Sequence, residues 1–142
     1  MQEQLSIDNT FSVACCKSNL KKVRAYVSQR LSKYALREVE QNQIVLAVEE
    51  VCANRMIHSN DCNEAKMIEL TITDQNGNLI FEIFDQGTAF DPSEYQPPTN
   101  KDIIDKKRKG GLGLKLVNKI MDKIEYCQDG TGNVCRLFKK IG

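Results

Sequence analysis

Two alternating runs meet at Asn76-Gly77, and that junction constrains the fold more than any other feature of the 142-residue chain. Ile68, Leu70 and Ile72 alternate with Glu69, Thr71 and Thr73, the period of a strand with one buried face. Asn-Gly follows, and both residues tolerate the positive φ of a tight two-residue turn. Leu79 to Phe84 then returns and ends in Asp85. A hairpin here makes the neighbouring strands antiparallel, with one apolar face that another layer must cover.

Helical spacing elsewhere supplies that layer. Leu20, Val23, Val27 and Leu31 recur on one side of a helix over about residues 18–33, with Lys21, Lys22, Arg24 and Arg30 among the other positions. A second helix is expected from near Arg37 to about His58, its stripe made by Ile44, Val48 and Val51 beside Ala47. A third opens at the Gly-Gly-Leu-Gly-Leu segment, with Leu116, Val117, Ile120, Met121 and Ile124 apolar. Residues 3–14 read as an opening strand. Strands at about 124–128 and 133–139 close the chain around Asp129-Gly130-Thr131-Gly132. The order strand, helix, helix, hairpin, long loop, helix, hairpin predicts a two-layer α/β (α+β) sandwich. The loop, about residues 86–110, holds three prolines and the basic run Lys106–Lys109; its length is that of a functional lid.

Composition narrows the function. No linker or repeat divides the chain, so residues 1–142 are expected to form one domain. Twenty basic residues against nineteen acidic ones leave a net charge of +1, with no footprint for nucleic acid or an anionic membrane. The first residues lack a basic start followed by an apolar stretch, and no apolar run approaches about 20 residues, so a cytoplasmic location is expected. Six cysteines form no C-x-x-C pair and only one histidine, His58, is present, which argues against zinc. Reduced, packed thiols are the reading adopted.

Three segments carry the chemistry. Glu50 and Asn54 are four residues apart on the second helix and share a face. The Asn54 carboxamide is a neutral oxygen ligand suited to Mg²⁺, which takes few protein ligands. A carboxylate one turn away can accept a proton. Asp85-Gln86-Gly87 follows a strand, where the aspartate can accept a hydrogen bond from an exocyclic amine and Gly87 lets the backbone approach a ligand. Lys109-Gly110-Gly111-Leu112-Gly113-Leu114 stands before a helix, where converging N–H groups and the helix's positive end favour phosphate. Its spacing matches neither a Walker loop nor a Rossmann fingerprint. Taken singly each segment is ordinary: a solvated polar pair, a strand-end turn, a flexible glycine loop.

Together, and in this order, E-x-x-x-N, D-x-G and G-G-L-G-L resemble the GHKL ATPase superfamily, which includes histidine-kinase catalytic domains and type II topoisomerase subunits. AVEEVCANRMIH, DQGTAFDP and GGLGLKLVNKIMD are closer to bacterial anti-sigma factors of the serine/threonine kinase type, the RsbW and SpoIIAB group. The resemblance spans about residues 10–140. It implies the Bergerat fold, a mixed, mostly antiparallel sheet covered on one face by three helices. It implies ATP and Mg²⁺ as cofactors, Glu50 as general base, Asn54 as metal ligand and Asp85, with Gly87, as the adenine reader. Lys109, Gly110, Gly111, Leu112, Gly113 and Leu114 would contact phosphates. Ala89 stands where the superfamily often has a second glycine near the nucleotide. Arg55 and Met56 replace the small and apolar residues usual after the asparagine, so Arg55 bears on the pocket or on a dimer contact. His58 is read as structural. The implied activity is transfer of phosphate from ATP to a Ser or Thr of an anti-sigma-factor antagonist of the STAS type. A sigma factor would be the alternative partner, and a homodimer is expected. A binding module gated by ATP without transfer is the alternative, and a histidine-kinase-related ATPase the third reading.

Overall fold

The computed structural model describes residues 10–59, 63–87, 109–128 and 130–141. The opening strand is β1, Thr10–Ala14. A single 3-10 turn, Lys17–Asn19, leads into α1, Leu20–Leu31, and then α2, Glu38–Asn54. Glu40 accepts a hydrogen bond from the Arg37 backbone N–H at 3.3 Å, which occupies one of the donors that a helix start leaves open. After Asn54 the chain widens into a π-helical segment, Arg55–Ser59. Strands β2, Met67–Gln75, and β3, Asn78–Asp85, form the expected hairpin. Helix α3, Lys109–Ile120, and strands β4, Lys123–Gln128, and β5, Asn133–Lys140, complete the described chain.

The hairpin turn follows from its two residues. Asn76 has φ 52° and Gly77 φ 84°, and Gln75 pairs with Asn78 across them. Two positive φ values in succession match the right-handed twist of the flanking strands. The sheet order is β1-β2-β3-β5-β4, and every described pair is antiparallel.

Alternation sorts the strands into two faces. Ile68, Leu70, Ile72, Leu79, Phe81, Ile83, Cys135 and Leu137 are buried on the inner face. Above them lie Val23, Val27 and Leu31 of α1, Ile44, Val48 and Val51 of α2, and Val117 and Ile120 of α3, in one continuous core. Helix α2 is the central helix: it packs against α1 on one side and α3 on the other, and it touches β3. On the outer face the half-buried Glu82 and Arg136 pair directly across β3 and β5. The expected sandwich is the observed one.

Three of the five described cysteines behave as packing residues, whereas Cys16 is half-buried and Cys127 exposed. Cys15, Cys52 and Cys135 are buried thiols outside any disulfide, and burial pushes the Cys52 thiol up to about 12. Cys62, residues 1–9 of the opening segment and residues 88–108 of the long loop lie outside the described residues.

The two faces differ in energetic weight. Phe81→Ala, which empties a fully buried ring position, is expected to cost about 3–5 kcal/mol of unfolding free energy. Thr73→Ala on the outer face should change it by no more than about 0.5 kcal/mol. Urea denaturation of both variants checks the contrast; equal losses would contradict the assignment of faces.

Candidate functional site

The inner face of the sheet is apolar until its end, where β3 and β5 place Asp85 opposite Asn133. Both are buried, Asp85 completely. A buried carboxylate is costly without partners, so the identity of those partners decides what the site can do. Arg55, the first residue after α2, supplies the countercharge. Its Nε donates to Asp85 Oδ2 at 2.7 Å and its Nη2 to Oδ1 at 3.3 Å. The guanidinium side chain is only 2% exposed. Oδ1 also accepts from the Gly87 backbone N–H at 2.8 Å and from Asn133 Nδ2 at 3.3 Å. Asn133 Nδ2 donates in addition to the Gly87 carbonyl at 3.0 Å, which pins the turn after β3. Gln86 Nε2 reaches the Thr131 carbonyl at 3.2 Å, tying that turn to the β4–β5 connection.

Gly132 lies beneath this arrangement. A β-carbon there would stand 2.5 Å from the Asp85 carbonyl oxygen and 2.8 Å from the Phe84 ring. Nothing larger than glycine fits without moving the backbone that carries the aspartate. The sequence pattern marked residues 129–132 only as a turn. Gly132 and Asn133 were therefore missing from the expected site, whereas Arg55 was expected to bear on the pocket or on a dimer contact; the pairing of β3 with β5 is the signal that would have found Asn133.

Helix α2 contributes the other polar pair. Asn54 is 7% exposed and adjoins Arg55, so it lies at the helix end that meets Asp85. Glu50 is one turn earlier and half-buried. Desolvation, with a smaller contribution from the neighbouring Glu49 charge, raises its carboxyl above the usual carboxylate range. Glu49 itself points the other way, to Arg24 of α1 at 2.9 Å. A carboxylate with raised proton affinity beside a buried carboxamide is suited to taking a proton and holding a hard cation's oxygen shell. Among the described residues, no group of three His, Cys, Asp or Glu side chains could hold a metal alone. The donor set fits Mg²⁺ only as an ion that brings phosphate oxygens and water with it.

The third helix opens at the glycine segment, as expected, and takes that segment in from Lys109 onward. Lys109, Gly110, Gly111, Leu112, Gly113 and Leu114 are the first turns of α3, not a loop ahead of it. Glycine weakens a helix by roughly 1 kcal/mol per residue relative to Ala. The helix nevertheless forms over them because Val117 and Ile120 anchor it in the core against α2. The first amide N–H groups of α3 have no intrahelical acceptor, and they sit at its positive end. The side chains of residues 109–114 and of His58 lie outside the described residues, as does all of Ala89. The structure thus joins Arg55, Asp85, Gly87 and Asn133 at the junction of α2 and β3, with Asn54 preceding Arg55 at the end of α2, and it sets α3 against α2.

Residues 14–139 match the model of the histidine kinase-like ATPase domain family. The chain belongs to that family. It is 30% identical over 117 residues to serine-protein kinase RsbW of Halalkalibacterium halodurans, an alignment covering 80% of this chain and 68% of that protein. It is 34% identical over 110 residues to RsbW of Staphylococcus epidermidis, covering 72% and 68%. Within the GHKL superfamily it falls in the RsbW-like branch. In fold it is similar to the RsbU and RsbW domains of a Mycobacterium tuberculosis protein, with TM-score 0.60 and 14% identity over 93% of this chain and 32% of that one. The catalytic domain of histidine kinase ThkA gives TM-score 0.58 at 14% identity, covering 93% of this chain and 95% of that one. No described helix is long and apolar enough to cross a membrane.

Two outcomes test the electrostatics of this family member. Asp85→Asn leaves the Arg55 guanidinium buried without its carboxylate and is expected to cost about 3–5 kcal/mol, read by denaturant unfolding. For Glu50 the folded pKa lies above the unfolded one, so its stabilising contribution is present below the unfolded value, about 4.3, and lost as pH rises through the folded value. Glu50→Gln should therefore be more stable than wild type at pH 7. The gain should be less than about 1 kcal/mol, because the side chain is only half-buried, and should vanish near pH 4. Unfolding curves at several pH values check it; a loss at pH 7 would contradict the sign.

Proposed function

We propose that this chain is an ATP-dependent protein kinase of the anti-sigma type, one cytoplasmic domain that transfers phosphate to a Ser or Thr hydroxyl on a small antagonist protein. The observation that carries the reading is the pairing, at one end of α2, of a desolvated Glu50 with a buried Asn54 in a chain of the RsbW-like branch. Both curated relatives are serine-protein kinases by name.

The role of each residue follows from its chemistry. Bound Mg-ATP supplies the phosphoryl group. Asn54 offers its amide oxygen to the cation. The backbone N–H groups at the start of α3, with Lys109, Gly110, Gly111, Leu112, Gly113 and Leu114 in that stretch, hold phosphate oxygens, using the helix's positive end. Asp85 would accept the amine of the base, with Gly87 and Ala89 following it in the chain. Glu50 takes the proton of the attacking hydroxyl, and its raised proton affinity suits that step. Phosphoryl transfer needs mainly positioning and charge neutralisation, which this set supplies without a covalent intermediate.

Partner switching follows from the product. A phosphoryl group adds about −1.5 to −2 charge and repels a surface that accepted the neutral hydroxyl. An antagonist of the STAS type would then leave, and a sigma factor would take its place on a homodimer of this chain. Neither nucleic acid nor membrane enters the scheme.

Incubating the purified protein with Mg-ATP and its cognate antagonist should yield phosphoserine or phosphothreonine on the antagonist. Glu50→Gln should slow that transfer by about 10²–10⁴-fold while ATP still binds. Binding of ATP with no transfer by the wild type would sink the kinase reading and leave a module whose partner affinity is gated by nucleotide.

A further inference from the structure

A single amide group holds both sides of the turn that follows β3. Asn133 Nδ2 donates to Asp85 Oδ1 at 3.3 Å and to the Gly87 carbonyl at 3.0 Å. Both partners are acceptors, so the amide must present its NH2 to the turn, and the two N–H groups match the two acceptors. The other end of the amide is matched as well. Gln128, paired with Asn133 across β4 and β5, donates from Nε2 to Asn133 Oδ1 at 3.3 Å. The residue is only 1% exposed, and strand register holds its backbone opposite Asp85. Substitutes fall short at this position. An ionised aspartate has no donor, serine and threonine have one, and glutamine is longer by a methylene.

We propose that Asn133 is a positioning residue for base recognition: by bridging Asp85 and Gly87 it fixes the carboxylate relative to the turn, and so sets the preference for a 6-amino over a 6-oxo purine. The proposal rests on the nucleotide reading above, in which Asp85 accepts the amine of the base. Arg55 balances the charge of Asp85 from the α2 side, and the Gly87 N–H closes the turn onto Oδ1. Asn133 supplies the contact that spans from the carboxylate to the Gly87 carbonyl on the far side of the turn. Hydrogen bonds weaken steeply with misalignment, so an amine is read well by a carboxylate whose orientation is set before the base arrives. A 6-oxo base presents an acceptor where the amine would stand and gains no bond from an ionised carboxylate. Loss of the bridge therefore costs the amino base more than the oxo base.

The test compares dissociation constants for Mg-ATP and Mg-ITP, which differ at the purine 6-position, by calorimetry on the full chain. Wild type should favour ATP by about tenfold or more, the scale of a hydrogen bond to a charged group. Asn133→Ala removes the bridge and should weaken ATP by about tenfold but ITP by less than about threefold, so that the preference collapses. Asn133→Ser keeps one donor for two acceptors and should lose most of the preference as well, which serves if the Ala variant does not fold. Leu137→Val, on the same strand but in the apolar core, should leave the ratio unchanged. A merely structural role for Asn133 lowers both affinities together, so an unchanged ratio in a folded Asn133 variant overturns the proposal. So does a ratio that collapses equally in Leu137→Val, or a wild type that binds ATP and ITP alike. In each of these cases the nucleotide reading itself survives, because binding is observed. Failure of the wild type to bind either triphosphate overturns the nucleotide reading and this proposal together.

Discussion

The ion pair between Arg55 and Asp85 joins the two layers where the inner face of the sheet turns polar at the end of β3. Elsewhere the described layers meet mainly through aliphatic and aromatic side chains, with Arg30 donating to the Ile72 carbonyl and Lys139 to the Ile120 carbonyl. At this point the contact is directional: a planar fork meets a carboxylate, and each would be costly to bury without the other. It therefore sets how the end of α2 lies over β3. Asn54, next in the chain, inherits its position from that contact. The turn at Gly87 inherits its own from the same carboxylate through a 2.8 Å hydrogen bond.

The site is thus assembled at element ends rather than within elements. Helix α2 finishes in a π-helical segment, β3 finishes at Asp85, α3 begins at Lys109, and β5 begins at Asn133. Ends are where backbone groups lack partners and where a π widening changes the direction in which side chains leave the helix. The chain belongs to the histidine kinase-like ATPase domain family, and its buried polar residues Asn54, Arg55, Asp85 and Asn133 gather at these ends while the rest of the described core is apolar.

Much of the fold was legible in the chain. The hairpin was readable at Asn76-Gly77 because two positive φ values leave few residue choices. The helix stripes at Val23, Val27 and Leu31, and at Ile44, Val48 and Val51, are the core observed. Glu50, Asn54 and Asp85 were legible as candidates because polar residues punctuate otherwise apolar elements. The start of α3 was less so. Glycines discourage a helix locally, and only its packing against α2 extends it back through Gly110 and Gly111. Asn133 and Gly132 carried no local signal at all.

Sequence alone determined the alternation of elements, the faces each would bury and the short list of residues able to do chemistry. Those properties depend on neighbours within about one turn or one strand, where periodicity is visible. Only the tertiary structure decided that Arg55 and Asp85, 30 residues apart in sequence, form a buried pair, and that Asn133, 48 residues beyond Asp85, completes it. Those contacts are set by strand register and helix placement, which arise from the packing of the whole core and leave no trace in local spacing.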